Sequence, residues 1–290
     1  LQFHKDHSIE SISIDSRKTS VQPSMLFFAI KGERHDGHQY MRELYRQGVR
    51  QFGVEHPPIA LDDFPEANIL LVPSTVAALQ KIAAYHRGTF SYPVIGITGS
   101  NGKTIIKEWL FQMLSKDQVV VKNPGSYNSQ VGVPLSVWQM GPHHQIGIFE
   151  GGISQPGEME NLERVIRPSI GIFTNIGSAH DQGFLNLEQK TEEKLKLFKN
   201  SQVLIYCADQ HIVGKAIQKL GIKTFSWGFG TEADVRVSVQ RAICHISIAD
   251  QNHVIKLPFS DKASIENCLH CLTLMIYLGL NFKKIQRGIT

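Results

Sequence analysis

The stretch PVIGITGSNGKTIIKEWL, residues 93–110, decides the fold. An apolar run at 94–98 leads into a glycine-rich turn, and Ile106, Trp109, Leu110, Met113 and Leu114 then recur at helical spacing. Strand, glycine loop and helix in that order give the setting of a phosphate-binding loop. The general pattern G-x-x-x-x-G-K-[ST] would put its first glycine at Ile97. Here the glycines fall at Gly96, Gly99 and Gly102, followed by Lys103 and Thr104. Phosphate binding needs backbone N–H groups crowded at a helix N-terminus, a lysine to span phosphates and a hydroxyl for Mg²⁺. Gly99, Asn101, Gly102, Lys103 and Thr104 supply all three, in a loop that runs from Thr98 through Ser100. The loop therefore reads as a nucleotide site, ahead of a glycine-rich turn with an incidental lysine.

Outward from this loop the chain alternates between strand and helix. Strands are expected at 119–122, 146–149, 170–176 and 202–207, with helices at 187–199 and 212–220. That is the βαβ rhythm of a parallel sheet covered on both faces. Between 234 and 259 the period drops to two, through Val235, Val237, Val239, Cys244, Ile246 and Ile248, which predicts a small antiparallel annex. A last helix is expected over 262–278. Residues 1–91 form a separate unit of two short strands and helices ending at Gly48 and Gly88. The fold class is α/β, with a small N-terminal domain at 1–91 and a P-loop domain at 92–290.

With 290 residues, 42% hydrophobic and 19% charged, the composition is that of an ordinary globular protein. No apolar run reaches the length of a membrane span, and the opening LQFHKDHSIE is too polar for a signal peptide. A net charge of +4 suits small anionic substrates, and no dense Lys/Arg block argues for nucleic acid. Four cysteines in apolar settings fit a reducing cytoplasm and not a disulfide framework. The chain begins at Leu1 without Met and ends on FKKIQRGIT just after a helical segment, so it is expected to be part of a longer protein.

In open α/β sheets ligands bind beyond the carboxyl ends of the strands. Lys103, Glu150 and His180 all fall there. Glu150 is a hard oxygen donor suited to Mg²⁺, or else a solvated strand-end carboxylate. By itself His180 is equally a loop histidine, and Lys194 by itself reads as a surface charge on a helix. Cys268-x-x-Cys271, with Leu272 and Met275 on adjoining positions, reads as core and not as a metal site. None of the 13 histidines forms an i, i+4 metal pair beside a glutamate, and His143 and His144 follow Gly141-Pro142 in a turn.

Several motifs in order resemble the Mur ligase superfamily, the ATP-dependent amide-forming enzymes of peptidoglycan synthesis. The family's TG-[ST]-NGKT loop matches residues 98–104, which accounts for the displaced glycine. DSRKTSVQPSMLFFAIKGERHDGHQY from Asp15 resembles the uridine-nucleotide domain, and TNIGSAH is a superfamily signature. YNSQVGVPLSV from Tyr127 and EGGISQPGEM from Glu150 resemble the D-alanyl-D-alanine-adding members more than the tripeptide-forming ones. The resemblance implies an acid–D-amino-acid ligase. ATP would phosphorylate the terminal carboxylate of UDP-MurNAc-tripeptide, and D-Ala-D-Ala would attack the acyl phosphate.

By the same resemblance, Lys103 and the loop amides hold ATP phosphates, and Thr104 and Glu150 coordinate Mg²⁺. His180 helps to bind a second Mg²⁺, and Lys194 matches a lysine that is carbamylated in many members. Asn175 and Asn267 lie in the nucleotide pocket, Ser16, Arg17 and Lys31 grip the uridine diphosphate, and Asn128 reaches the muramoyl-peptide. The sequence departs from the family at Ile105 and Ile106 (usually threonines), at Ser126 and Ser129, at Ser154 and Gln155, and at Ala263 and Ser264. Lys196 replaces a common acidic residue.

The family's third, Rossmann-like domain is not found in these 290 residues, which are expected to bind nucleotide without ligating at a useful rate. The competing readings are another ligase of the superfamily, tripeptide-forming or folate-polyglutamating, and a non-catalytic nucleotide-binding module.

Overall fold

The computed structural model describes residues 3–17, 22, 24–32, 35–58, 60–177, 183–249 and 251–289. The chain divides into two compact units, residues 1–86 and 87–290. In the first, β1 (Ser11–Ser13), β2 (Met25–Phe28), β3 (Gln51–Val54) and β4 (Asn68–Leu71) form a parallel sheet in that order. Its core is aromatic, with Phe27, Phe52 and Phe64 meeting edge to face. Met41 and Leu44 join it from α1 (Met41–Gln47). Gly48, at φ 113°, stops α1 where the sequence predicted. The helix expected to end at Gly88 is α2 (Thr75–Gly88). Strands β3 and β4 escape sequence reading: Gly53 interrupts the first, and the second leaves Leu70 and Leu71 exposed, so neither shows a clean apolar run or alternation.

The second unit is built on a nine-stranded sheet. In chain order its strands are β5 (Val94–Thr98), β6 (Val120–Lys122), β7 (Ile146–Glu150), β8 (Ile170–Phe173), β9 (Val203–Cys207), β10 (Thr224–Gly228), β11 (Val235–Gln240), β12 (Ile243–Ile248) and β13 (Gln251–Lys256). Their spatial order is β13-β12-β11-β10-β9-β8-β5-β7-β6. All pairs from β6 to β11 are parallel, and β11, β12 and β13 close the sheet as the predicted antiparallel annex. The helices are α3 (Lys103–Leu114), α4 (Gly132–Val137), α5 (Glu158–Ile166), α6 (Leu187–Leu195), α7 (His211–Leu220), α8 (Lys262–Tyr277) and α9 (Phe282–Ile289).

The central strand β5 is buried at all five residues and lies between β7 and β8. The chain leaves β5 toward β6 and β7 on one side and then crosses from β7 to β8 on the other, so a switch point opens beyond the carboxyl end of β5. Ile106 and Leu110 of α3, with Leu269 and Leu272 of α8, pack on the apolar residues of this sheet. The thiols of Cys268 and Cys271 lie in that core, and burial pushes Cys268 up to about 12, as the packing reading requires. The sequence reading passed over α4, α5, α9 and β10. Of these, α5 carried a usable signal in Met159, Leu162, Val165 and Ile166, which are all buried at helical spacing. Among the described residues, no helix is long and apolar enough to cross a membrane.

Candidate nucleotide site at the centre of the large sheet

Beyond β5 the chain turns through Gly99, at φ 143°, and Gly102, at φ 82°, which is the N-cap of α3. Both conformations favour glycine, and both positions are also too crowded for a side chain. A Cβ on Gly99 would run into the Thr174 hydroxyl, and one on Gly102 into the Asn267 side-chain oxygen. Ile97 needs no such freedom, because it is a buried strand residue in register with Glu150. The displaced glycine thus has a structural reason: the turn starts two residues later.

The loop is tied to the segment after β8. Ser100 N–H donates to the Asn175 carbonyl at 2.8 Å, and Asn101 N–H to Asn175 Oδ1 at 3.0 Å. The Thr174 hydroxyl donates to the Asn101 carbonyl at 2.6 Å, and Thr98 Oγ1 to the Gly151 carbonyl at 2.8 Å. Lys103 curls over the loop, its Nζ donating to the carbonyls of Gly99 and Ser100 at 3.0 and 3.1 Å.

Glu150 ends β7 and is wholly buried. Its carboxylate accepts from Thr104 Oγ1 at 2.8 Å and from Asn128 Nδ2 at 3.3 Å, and Ser126 Oγ lies 3.3 Å from the same threonine hydroxyl. Asn123 fixes the backbone by accepting from Glu150 N–H at 2.7 Å. Burial raises the Glu150 carboxyl above its ordinary value, while Lys107 and the Thr104 hydroxyl act against that rise. The solvated-carboxylate reading is therefore wrong. An acid held this deep beside a threonine hydroxyl and an amide is a hard-donor set that fits Mg²⁺.

Lys194 is corrected as well. It is no surface charge but 3% exposed, on the buried side of α6. Burial, with Lys103 and Lys190 nearby, pulls its ammonium down to about 7. Burial likewise lowers Lys103, with Glu150 acting against it. Lys103, Lys194, Asn128, Ser129, Gly152 and Ser154 line one cavity of about 410 Å³. Sequence reading missed two further buried lysines. Lys107 lies one helical turn after Lys103 and donates to the Gly125 carbonyl. Lys190 lies one turn before Lys194 and donates to the Gly177 carbonyl at 2.6 Å. The i, i+4 spacing to a predicted site lysine was their only signal.

The remaining predicted residues divide. Asn175 and Asn267 sit against the loop, as described above. Lys196 turns to Glu193 and Glu160, at 2.7 and 3.3 Å. Ser154 N–H donates to Glu158 Oε2 at 2.7 Å, and Ser264 N–H to Asp261 Oδ1 at 2.9 Å, a cap of α8. His180 lies outside the described residues.

In the first unit, Ser16 and Arg17 follow β1 and Lys31 follows β2. The Arg17 guanidinium pairs with both oxygens of Asp15 at 3.0 and 3.1 Å and stays largely exposed. Among the described residues, one group of metal-capable donors lies here: Asp36, His38 and His56. Its geometry is that of a local turn. Asp36 Oδ1 accepts from His38 N–H and lies 2.6 Å from the His38 ring, and the two imidazoles stack at 3.8 Å with planes 16° apart. Nearly parallel rings at that separation share no in-plane point where one ion could meet both.

Strand, glycine loop and helix at a switch point, with the half-buried Lys103 and a threonine–carboxylate pair, define a P-loop protein of the α/β class. The comparisons make this specific: the chain belongs to the Mur ligase family. The profile described as Mur ligase middle domain matches residues 97–275, and that described as Mur ligase family, catalytic domain matches residues 8–87. The UDP-N-acetylmuramoyl-tripeptide–D-alanyl-D-alanine ligase of Bacillus subtilis is 30% identical over 97% of this chain and 62% of its own length. That of Borreliella burgdorferi is 31% identical, over 96% and 62%. Among solved structures, MurF from Acinetobacter baumannii superposes with a TM-score of 0.83 at 26% identity, over 97% of this chain and 62% of that one. MurF ligase from Thermotoga maritima in complex with ADP also gives 0.83, at 27% identity, over 95% and 65%. The chain thus spans about 62% of the length of the curated relatives it matches.

Proposed function

We propose that this chain forms the substrate- and ATP-binding portion of a ligase that joins D-Ala-D-Ala to UDP-MurNAc-tripeptide through an acyl phosphate. The observation that carries the reading is the convergence of Lys103, Lys194 and Asn128 on one cavity beside the Thr104–Glu150 pair. The relatives matched along nearly the whole chain bear names of that activity.

In this reading the loop amides and Lys103 hold the ATP phosphates and offset the charge of the transferring phosphoryl group. Thr104 and Glu150 hold Mg²⁺, which when bound supplies a fixed positive charge to the phosphate oxygens. Lys194, with its ammonium drawn down to about 7, offers the neutral amine that CO₂ needs to form a carbamate. A carbamate exchanges a repelling cation for two oxygen donors, and with His180 it would complete a second metal position. Asn175 and Asn267 border the nucleotide. Residues 1–91 form the UDP-substrate domain, with Ser16, Arg17 and Lys31 on the diphosphate and Asn128 toward the peptide. Four free, buried thiols support a cytoplasmic setting.

The test is calorimetric titration of UDP-MurNAc-tripeptide into this chain with Mg²⁺ and a non-hydrolysable ATP analogue, beside UDP-MurNAc-dipeptide and a folate. Tripeptide-selective binding is expected. Preference for the dipeptide would move the chain to the tripeptide-forming type. Binding of the ATP analogue alone would leave a nucleotide-binding module.

A further inference from the structure

His270 is a buried histidine on α8 that the scheme above does not use, and its surroundings fix its chemistry. The Trp227 indole N–H lies 3.2 Å from His270 Nδ1, with the two rings 85° apart. An indole nitrogen can only donate, so Nδ1 must accept and the ring proton must sit on Nε2. Nε2–H then donates to the Thr174 carbonyl at 2.8 Å. The second lone pair of that carbonyl takes Gln210 Nε2–H at 3.0 Å, while Gln210 Oε1 accepts from Ile176 N–H at 3.2 Å. Thr174 in turn carries the phosphate loop: its hydroxyl binds the Asn101 carbonyl, and the next residue, Asn175, receives the N–H groups of Ser100 and Asn101.

We propose that His270 is a positioning residue for nucleotide binding. Locked in one tautomer by Trp227, it holds the strand end on which the phosphate loop is hung. The inference rests on the nucleotide reading above. Two features distinguish this imidazole from simple core filling. Both ring nitrogens are hydrogen-bonded, and the Nε2 bond ends on Thr174, whose hydroxyl and next residue hold the loop at Asn101 and Ser100. Burial keeps the ring neutral, with its pKa drawn down to about 4, so its donor and acceptor are unchanged across the physiological range.

The experiment compares ADP affinity, with Mg²⁺, for the unaltered chain, His270→Phe, His270→Gln, and Ile255→Ala as a destabilised control in β13. Phe keeps the ring and removes the Nε2 donor. Gln places an N–H at similar reach. The expected result is a loss of at least tenfold for His270→Phe, recovery to within twofold for His270→Gln, and no change for Ile255→Ala. Amide hydrogen exchange should quicken over residues 99–102 in His270→Phe but not in the control. If His270→Phe does not fold, Trp227→Phe frees the tautomer and should cost several-fold. Unaltered affinity in the Phe variants, or an equal loss in the Ile255 control, overturns the inference. Absence of ADP binding by the unaltered chain overturns the nucleotide reading itself and takes the inference with it.

Discussion

The two sheets differ at the carboxyl ends of their parallel strands. Beyond the nine-stranded sheet the functional groups are locked to one another: Thr104 to Glu150, Lys103 to its own loop, and Ser100 and Asn101 to Asn175. Beyond the four-stranded sheet, Arg17 pairs with Asp15 two residues away and Lys31 lies exposed after β2. At the first end, side chains and backbone groups are already hydrogen-bonded to one another. At the second the cationic side chains are long and solvated, so a ligand bound there would have to order them.

The sharpest test of that contrast is Lys194. An ammonium drawn down to about 7 is half neutral near pH 7, on the order of a thousandfold more free amine than a lysine at the ordinary 10.5. Isotope-labelled bicarbonate should therefore form a carbamate selectively at Lys194, read by mass spectrometry after trapping. Because the folded pKa is depressed, the neutral amine is present above about 7 and is lost as pH falls through it. Labelling no greater than at surface lysines would show that the cavity does not tune this residue.

Next in size is Lys103→Met. Removing a charge-assisted partner of phosphate should cost about 2–3 kcal/mol, roughly a hundredfold in ATP-analogue affinity, with the melting temperature little changed. A loss under threefold would mean that the loop amides hold the nucleotide alone.

Glu150→Gln should act through the metal. The Mg²⁺-dependent gain in nucleotide affinity is expected to fall about tenfold, while the metal-free affinity holds or rises because a buried charge has gone. In the unaltered chain burial raises this carboxyl, so the gain should fade on acidification at a higher pH than an exposed glutamate would give. An unaltered Mg²⁺ gain in the variant would remove Glu150 from the metal.

The sequence was legible where physics is local. A buried strand, two glycines in strained turns and a helix behind them are dictated within residues 93–110, so the loop and its sheet could be read directly. Glu150 and Lys194 could be located but not valued from sequence. Their burial comes from tertiary packing, as in the Glu150 contacts with Asn123, Asn128 and Thr104, which lie 27, 22 and 46 residues away in the chain. His270 carried no signal because the donor that fixes its tautomer, Trp227, lies 43 residues away. Strands β3 and β4 were lost because Gly53 interrupts one and the other exposes Leu70 and Leu71, which breaks the pattern of a buried strand.

The smallest effect is expected at Arg17, and it decides whether the comparison holds. Arg17→Ala removes an exposed group whose pair with Asp15 is solvent-screened, so the melting temperature should not move. If the N-terminal sheet grips a diphosphate through side chains ordered by the ligand, UDP-MurNAc-tripeptide affinity should fall three- to fivefold. The loss should grow at low salt, where an exposed cation and a diphosphate see each other over a longer range. ADP affinity should not change, since the phosphate loop in the other unit is built without Arg17. An unchanged UDP-substrate affinity at every salt concentration would mean that Arg17 does not grip the diphosphate, and the contrast drawn between the two sheets would lose its support.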